Sequence, residues 1–333
     1  MDGLSLYVHY PQEHNDLYKY SPSFALLMAP LSFLPATLGA ILWNLSGALL
    51  FTFALIKLPL KDGDKKATFW ISLPEFIGST QGFQSNIHMV ALLLLFWIYL
   101  EKEQAFLAAL CILSSFFIKI FGIIGLCIFV FSKYSTKNIK FFLRFSLSFI
   151  FLGLFLTFLP LVFTSYDLLN FQYAEWARML SSDITQTYGF SAMGVFHSLT
   201  GLHFNHLIFQ VIGGTILMLL FLLSRNSAQP QRLLALVSIS YFLILFNHRS
   251  ESPTFIIAMI AFGIHQSFMK TPKVRWSFII FTLGCVSLMY SDIFRSIKQS
   301  HLDVYCVKVW PFLILWPYSL FQIFQCRKKT LIS

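Results

Sequence analysis

Lys119 is a lone cation in the apolar run FFIKIFGI, where Phe116 to Ile123 supply no other charge. An ammonium at membrane depth costs about 2.5 kcal/mol or more, so such a residue faces a polar cavity or a partner, and an anionic phosphate fits its chemistry. Snorkelling of the long side chain to an interface is the competing reading. A second cluster, NHRSESP (Asn247 to Pro253), brings together an imidazole, a guanidinium and a carboxylate. Arg249 can hold a phosphate through two parallel N–H bonds beside His248, while Glu251 can orient it or take a proton as a base. A plain ion pair between Arg249 and Glu251 accounts for the same residues. Near the N terminus Asp16 and Lys19 add a carboxylate and a cation among Tyr18 and Tyr20, against a simpler reading as solvated loop charges and interfacial rings. Gln84 and Asn86 carry amides that can hydrogen-bond sugar hydroxyls, although helix capping suffices for Asn86.

Other templates fail. The chain has no G-x-x-x-x-G-K-[ST], G-x-G-x-x-G, H-E-x-x-H or G-x-S-x-G, which argues against a soluble nucleotide donor or ATP drive. His197, His203 and His206 have no carboxylate or Cys spacing to complete a metal site, and no cofactor is expected. The five cysteines form no C-x-x-C pair and read as small buried hydrophobes.

The elements that must position these residues are membrane helices. Of the 333 side chains 57% are hydrophobic and 11% charged, where a soluble domain has about a quarter charged. The net charge of +10 would suggest nucleic acid if it clustered on one face. Lys and Arg instead fill short gaps between apolar runs, so the expected partner is membrane lipid and not nucleic acid. Candidate spans are Ala36 to Leu58, Ala67 to Phe83, Ile87 to Leu100, Phe141 to Phe163, Leu207 to Leu223, Leu233 to Phe246, Thr254 to Phe268, Trp276 to Tyr290 and Val307 to Phe324. Several are short of the roughly 20 residues that a span needs, which is tolerated where a helix is buried in protein or lines a wet cavity.

With the gap at 57–66 on the cytoplasmic side, alternation places 17 of the 24 Lys and Arg inside and ten of the fourteen acids outside. Ala105 to Phe131 must then begin and end inside, yet is too short for two spans. It is therefore expected to be a re-entrant hairpin with Lys119 near its tip; the alternative, one tilted span, would reverse everything downstream and spoil the charge count. The outer face carries residues 1–35, the QSN turn at Gln84, the loop from Thr164 to His206, the NHRSESP turn and Ser291 to Cys306. In the long loop Tyr173, Trp176, Ala177 and Leu180 share one helical face, with Gln172 and Glu175 pointing elsewhere, which predicts a helix lying in the headgroup plane. Pro22, Pro30 and Pro35 divide the N-terminal stretch into a loop and an interfacial helix, with Tyr7, Tyr10, Tyr18 and Tyr20 as an interfacial belt.

In order along the chain, YKYSPSFALLMAPLSFLP (Tyr18 to Pro35), LWNLSG (Leu42 to Gly47), QSN, FFIKIFGI and NHRSESPTF resemble glycosyltransferase family 87. The resemblance implies one integral membrane domain over 1–333, an all-α GT-C-like bundle of about nine to eleven membrane helices including short and re-entrant ones. Its parts would be 1–35, a helix group 36–163, the outer loop 164–206 and a second helix group 207–333. It implies transfer of a sugar, typically mannose, from a polyprenyl-phosphate donor to a glycan or lipid acceptor at the non-cytoplasmic face of a bacterial plasma membrane. Asp16 and Glu251 then stand as catalytic candidates, Lys119, Arg249, His248 and Lys19 as ligands of the donor phosphate, and Gln84, Asn86, Tyr18 and Tyr20 as sugar or acceptor contacts. Family members begin with one more membrane helix and an acid in the first outer loop. Here Leu6 and Tyr7 match the pair that follows that acid, so the expectation is a chain without that helix and acid, and inactive if truncated. The alternative class is a transporter or lipid-linked-sugar flippase, for which the chain lacks a convincing internal repeat.

Overall fold

A computed structural model describes residues 5–12, 17–131, 138–182, 188–223, 228–288 and 298–332. Local signals set the helix limits. Ser21 caps α1 (Pro22–Ser32), its Oγ accepting from Phe24 N at 3.1 Å, and Pro22 occupies the first turn, where no amide hydrogen is needed. Pro35 starts α2 (Ala36–Lys57), and Asp62 and Asp64 face the positive end of α3 (Asp62–Gln81). There follow α4 (Asn86–Glu101), α5 (Ala105–Ile118), α6 (Leu126–Phe131), α7 (Ile139–Phe158), α8 (Tyr166–Ser182), α9 (Ala192–Thr200) and α10 (His206–Leu223). The chain continues through α11 (Gln229–Leu245), α12 (Ile256–His265), α13 (Pro272–Ser287) and α14 (Trp310–Ile332). The described residues contain no strand.

Three helical stretches, Ala36–Lys57, Ile139–Val162 and Val307–Gln325, are long and apolar enough to cross a membrane, and the other apolar helices are shorter. The shorter ones make the interior: every residue of α12 is buried, as are most of α4 and α11. The longer ones α2 and α7, together with α10, turn large apolar side chains outward, among them Ile41, Leu49, Leu147, Phe151, Val211 and Ile212. An outer surface of that kind suits lipid and not water.

Polar contacts sort the gaps into the two sets that the charge count separates. In one set Arg232 pairs with Glu101 at 2.5 Å, Asn138 donates to Glu103 at 3.1 Å and Gln266 donates to Asp64 at 3.3 Å. In the other, Phe190 N donates to Ser250 O at 2.7 Å, Trp176 Nε1 to Lys19 O at 3.3 Å and Leu6 N to Gln172 Oε1 at 3.0 Å.

The run from α5 to α6 folds back at Lys119, whose backbone is extended (φ −141°, ψ 122°) between α5 and a 3-10 turn over Ile120–Gly125. Gly122 backs onto Ser115 and Gly125 onto Ile112, so the returning segment runs antiparallel to α5 with Lys119 at the bend. With 14 residues α5 rises about 21 Å, short of the roughly 30 Å hydrocarbon core that a full span must cross.

Two expectations need correction. Of the expected face of α8, Tyr173, Trp176 and Leu180 pack with Met179 against Tyr7, whereas Ala177 is exposed and Gln172 is turned inward. Gln172 is only 2% exposed because its amide oxygen receives the Leu6 amide; α8 is thus a lid packed on the N-terminal segment. Nor do the tyrosines form a belt facing outward. Tyr7 is buried and donates to Tyr20 O at 2.8 Å, and Tyr7, Tyr18, Tyr20, Phe24, Trp43 and His88 follow one another ring to ring, with centroids 3.8 to 6.0 Å apart.

A Cβ on Gly122 would lie 2.2 Å from Ser115 Oγ and 2.8 Å from its carbonyl, whereas one on Gly284 meets nothing within 4 Å. Gly122→Ala is therefore expected to cost about 1–3 kcal/mol and lower the melting temperature in detergent, while Gly284→Ala leaves it unchanged or slightly raised. Thermal unfolding of the two variants side by side checks this.

Candidate active site

The 3-10 turn after Glu251 and the bend at Lys119 meet at a cavity of about 680 Å³. Lys19, Tyr20, Gln84, Lys119, Gln210, Asn247, His248, Arg249 and Glu251 give it polar groups, while Ile120, Ile123, Ile124, Phe242, Leu243 and Phe246 make an apolar wall. Three cations thus face one carboxylate in a site half lined by hydrocarbon.

Each polar group is held by its local sequence. Lys119 Nζ donates to Asn86 Oδ1 at 2.7 Å, and the other half of that amide donates to Pro253 O at 3.1 Å. Asn86 therefore stitches the hairpin to the turn that carries Arg249 and Glu251. That turn is closed by Arg249 N on Asn247 Oδ1 at 3.0 Å and by Ser250 Oγ on Ile244 O at 2.8 Å. Glu251 N reaches Thr254 Oγ1 at 3.4 Å, and Pro253 opens the 3-10 turn that runs into α12. His248 lies against the His206 ring, centroids 4.5 Å apart, and its Nδ1 accepts from Gln210 Nε2 at 3.4 Å. Tyr20 accepts from Ser85 Oγ at 3.2 Å.

The electrostatics follow from this placement. Lys119 shares the cavity lining with the Glu251 carboxylate and the Lys19 ammonium. Burial pushes the Tyr18 phenol well above its usual range, so that group stays neutral, and it donates to Ser21 O at 3.3 Å. No three His, Cys, Asp or Glu side chains among the described residues are grouped to hold a metal.

Of the residues singled out in the sequence, Lys19, Tyr20, Gln84, Lys119, His248, Arg249 and Glu251 line the cavity. Asn86 lies behind it, 1% exposed, with both ends of its amide engaged inside the protein, so its place is structural support. Tyr18 packs in the aromatic run outside the lining, and Asp16 lies outside the described residues. Gln210 and Asn247 join the lining without having been expected. Gln210 carried the same signal as Lys119, a polar residue inside an apolar run, but an uncharged amide is cheaper to bury and stands out less.

The sequence model of glycosyltransferase family 87 matches residues 18–246 of the 333. The chain belongs to glycosyltransferase family 87. No curated protein matches the chain. The matched part of this family 87 glycosyltransferase contains Lys19, Tyr20, Gln84, Lys119 and Gln210, and the turn bearing His248, Arg249 and Glu251 follows directly after it.

Asn86→Leu keeps the volume and removes two hydrogen bonds, one of them to a buried ammonium. The expected loss is about 2–4 kcal/mol, read as a lower melting temperature; an unchanged melting temperature would deny Asn86 its bridging role.

Proposed function

We propose that this chain is a GT-C-type hexosyltransferase that moves a sugar, mannose by family resemblance, from a polyprenyl-phosphate donor to a glycan or lipid acceptor. It would act at the non-cytoplasmic face of a bacterial plasma membrane, the side that the distribution of Lys and Arg assigns to the cavity. The observation that carries this reading is one cavity with Lys119, Arg249 and Lys19 at its polar side and Ile120, Ile123, Ile124, Phe242 and Phe246 along its wall. A lipid phosphate has the same two halves.

The chemistry follows from the charges. The cations hold the phosphate, with Arg249 able to offer two parallel donors and His248 beside it. Glu251 takes the proton of an acceptor hydroxyl as its oxygen attacks the anomeric carbon. The bond from that carbon to the phosphate oxygen breaks, its electron pair stays on the phosphate, and Lys119 and Arg249 stabilise the charge that develops there. Gln84 and Tyr20 face the sugar from the same cavity. In a site walled by hydrocarbon each of these contacts is stronger than in water.

The purified chain, given polyprenyl-phosphate mannose and a lipid or glycan acceptor, should consume the donor and label the acceptor. Flux of the donor across a vesicle membrane without covalent change would instead mark a transporter. Lys119→Ala should abolish transfer while the protein still inserts, and near-normal turnover would remove the phosphate role of Lys119. Arg249→Lys loses the planar fork and should raise the donor KM roughly tenfold with a smaller change in kcat; an unchanged donor KM would return Arg249 to a structural ion pair.

A further inference from the structure

Glu75 and Lys308 form a second charged pair, behind the turn that carries Glu251. Both side chains are 0% exposed and Nζ lies 2.6 Å from Oε1. Glu75 sits well inside α3, and Lys308 lies in the 3-10 turn Val307–Val309 that leads into α14. The ammonium also donates to Ser252 O at 3.1 Å and Ser252 Oγ at 2.6 Å, with the Phe255 ring 5.0 Å away. A fully buried ion pair stabilises a fold no better than apolar side chains of similar volume, because removing two charges from water offsets their attraction. Stability alone therefore does not account for a charge pair that reaches the backbone and hydroxyl of Ser252.

Ser252 stands between Glu251, which faces the cavity, and Pro253, whose carbonyl is held by Asn86 at 3.1 Å. The chain leaving Glu251 is thus gripped from two directions. The stretch before it is fastened by other bonds, those of Asn247 to Arg249 N and of Ser250 to Ile244 O. Lys308 accordingly acts on the position of Glu251 more than on that of Arg249.

We propose that the Glu75–Lys308 pair is a positioning device for Glu251, acting through Ser252; this rests on the reading of Glu251 as the proton acceptor. Glu75 cancels the charge of Lys308 and aims its remaining donors, and Lys308 sets the backbone from which the Glu251 carboxylate projects. A misplacement of a reacting group by about 1 Å can lower turnover a hundredfold.

Removing one partner strands the other charge in the interior, so the informative variant replaces both with apolar side chains of similar volume, Glu75→Leu with Lys308→Met. The expected result is a melting temperature within a few degrees of the parent, a kcat lower by roughly ten- to a hundredfold and a donor KM within about twofold. Ser252→Ala, which removes one of the two acceptors and leaves the ion pair in place, should show the same split on a smaller scale. Glu75→Asp with Lys308→Arg, which keeps both charges, should recover part of kcat. An unchanged kcat in a stably folded double variant and in Ser252→Ala overturns the positioning role and leaves glycosyl transfer standing. Absence of transfer by the parent chain would instead remove the enzymatic reading. Amide hydrogen exchange then decides the present inference alone: residues 249–255 should exchange faster in Ser252→Ala and in the double variant than in the parent, and equal protection overturns it.

Discussion

A cation buried at the bend of a helical hairpin makes demands on everything around it. The Lys119 ammonium cannot be left among hydrocarbon, so an acceptor must come to it, and Asn86 supplies one at 2.7 Å. That amide has a second half, which must be satisfied in turn, and it reaches the Pro253 carbonyl at 3.1 Å. One buried charge thereby ties together the start of α4, the α5–α6 bend and the turn before α12, three places far apart in the chain. The cavity is the space left where they meet.

The same constraint explains why the helices beside the site are short. A continuous span from Ala105 to Phe131 would leave Lys119 on a helix flank facing lipid or packed side chains. Breaking the helix there places the ammonium at a chain reversal, where Gly122 and Gly125 let the return segment lie directly on α5. The helices that keep full length, α2, α7 and α14, carry none of the cavity's lining groups. Length is retained where a helix carries no lining group and given up where backbone ends and polar side chains must reach a cavity.

Legibility from sequence follows the cost of burial. A charge in an apolar run is expensive, so Lys119 was visible, and so was the reversal around it, because the positive charges on either side demanded one. The separation of the polar gaps into two sets was readable for the same reason, and the pairs Glu101 with Arg232 and Glu103 with Asn138 fall within one set. What stayed hidden depends on small energies or on pairs. The aromatic face of α8 was visible, but not that Gln172 turns inward to accept from the backbone amide of Leu6. Asn86 looked like a sugar ligand because the sequence does not show that both halves of its amide are taken up inside the protein. Glu75 falls within the candidate span Ala67 to Phe83 and Lys308 at the edge of the one that begins at Val307, and neither position indicates that the two meet.

The two lysines near the site, Lys308 fully buried and Lys119 half-buried at the cavity, show how different partners yield different functions. Lys308 has a carboxylate at 2.6 Å, so the pair is neutral as a unit and can only orient its neighbours. Lys119 has as its close partner a neutral amide, which solvates the ammonium without cancelling its charge, and the Glu251 carboxylate lies across the cavity lining. Its field is directed into the space between, where an anion placed against it would gain in a medium of low dielectric what the protein gave up by burying the cation. An amide partner is thus what a buried lysine needs if it is to bind an anion, and a carboxylate partner is what it needs if it is to hold a turn. By that criterion the charge available to a phosphate is that of Lys119, and the charge that shapes the turn beside it is that of Lys308.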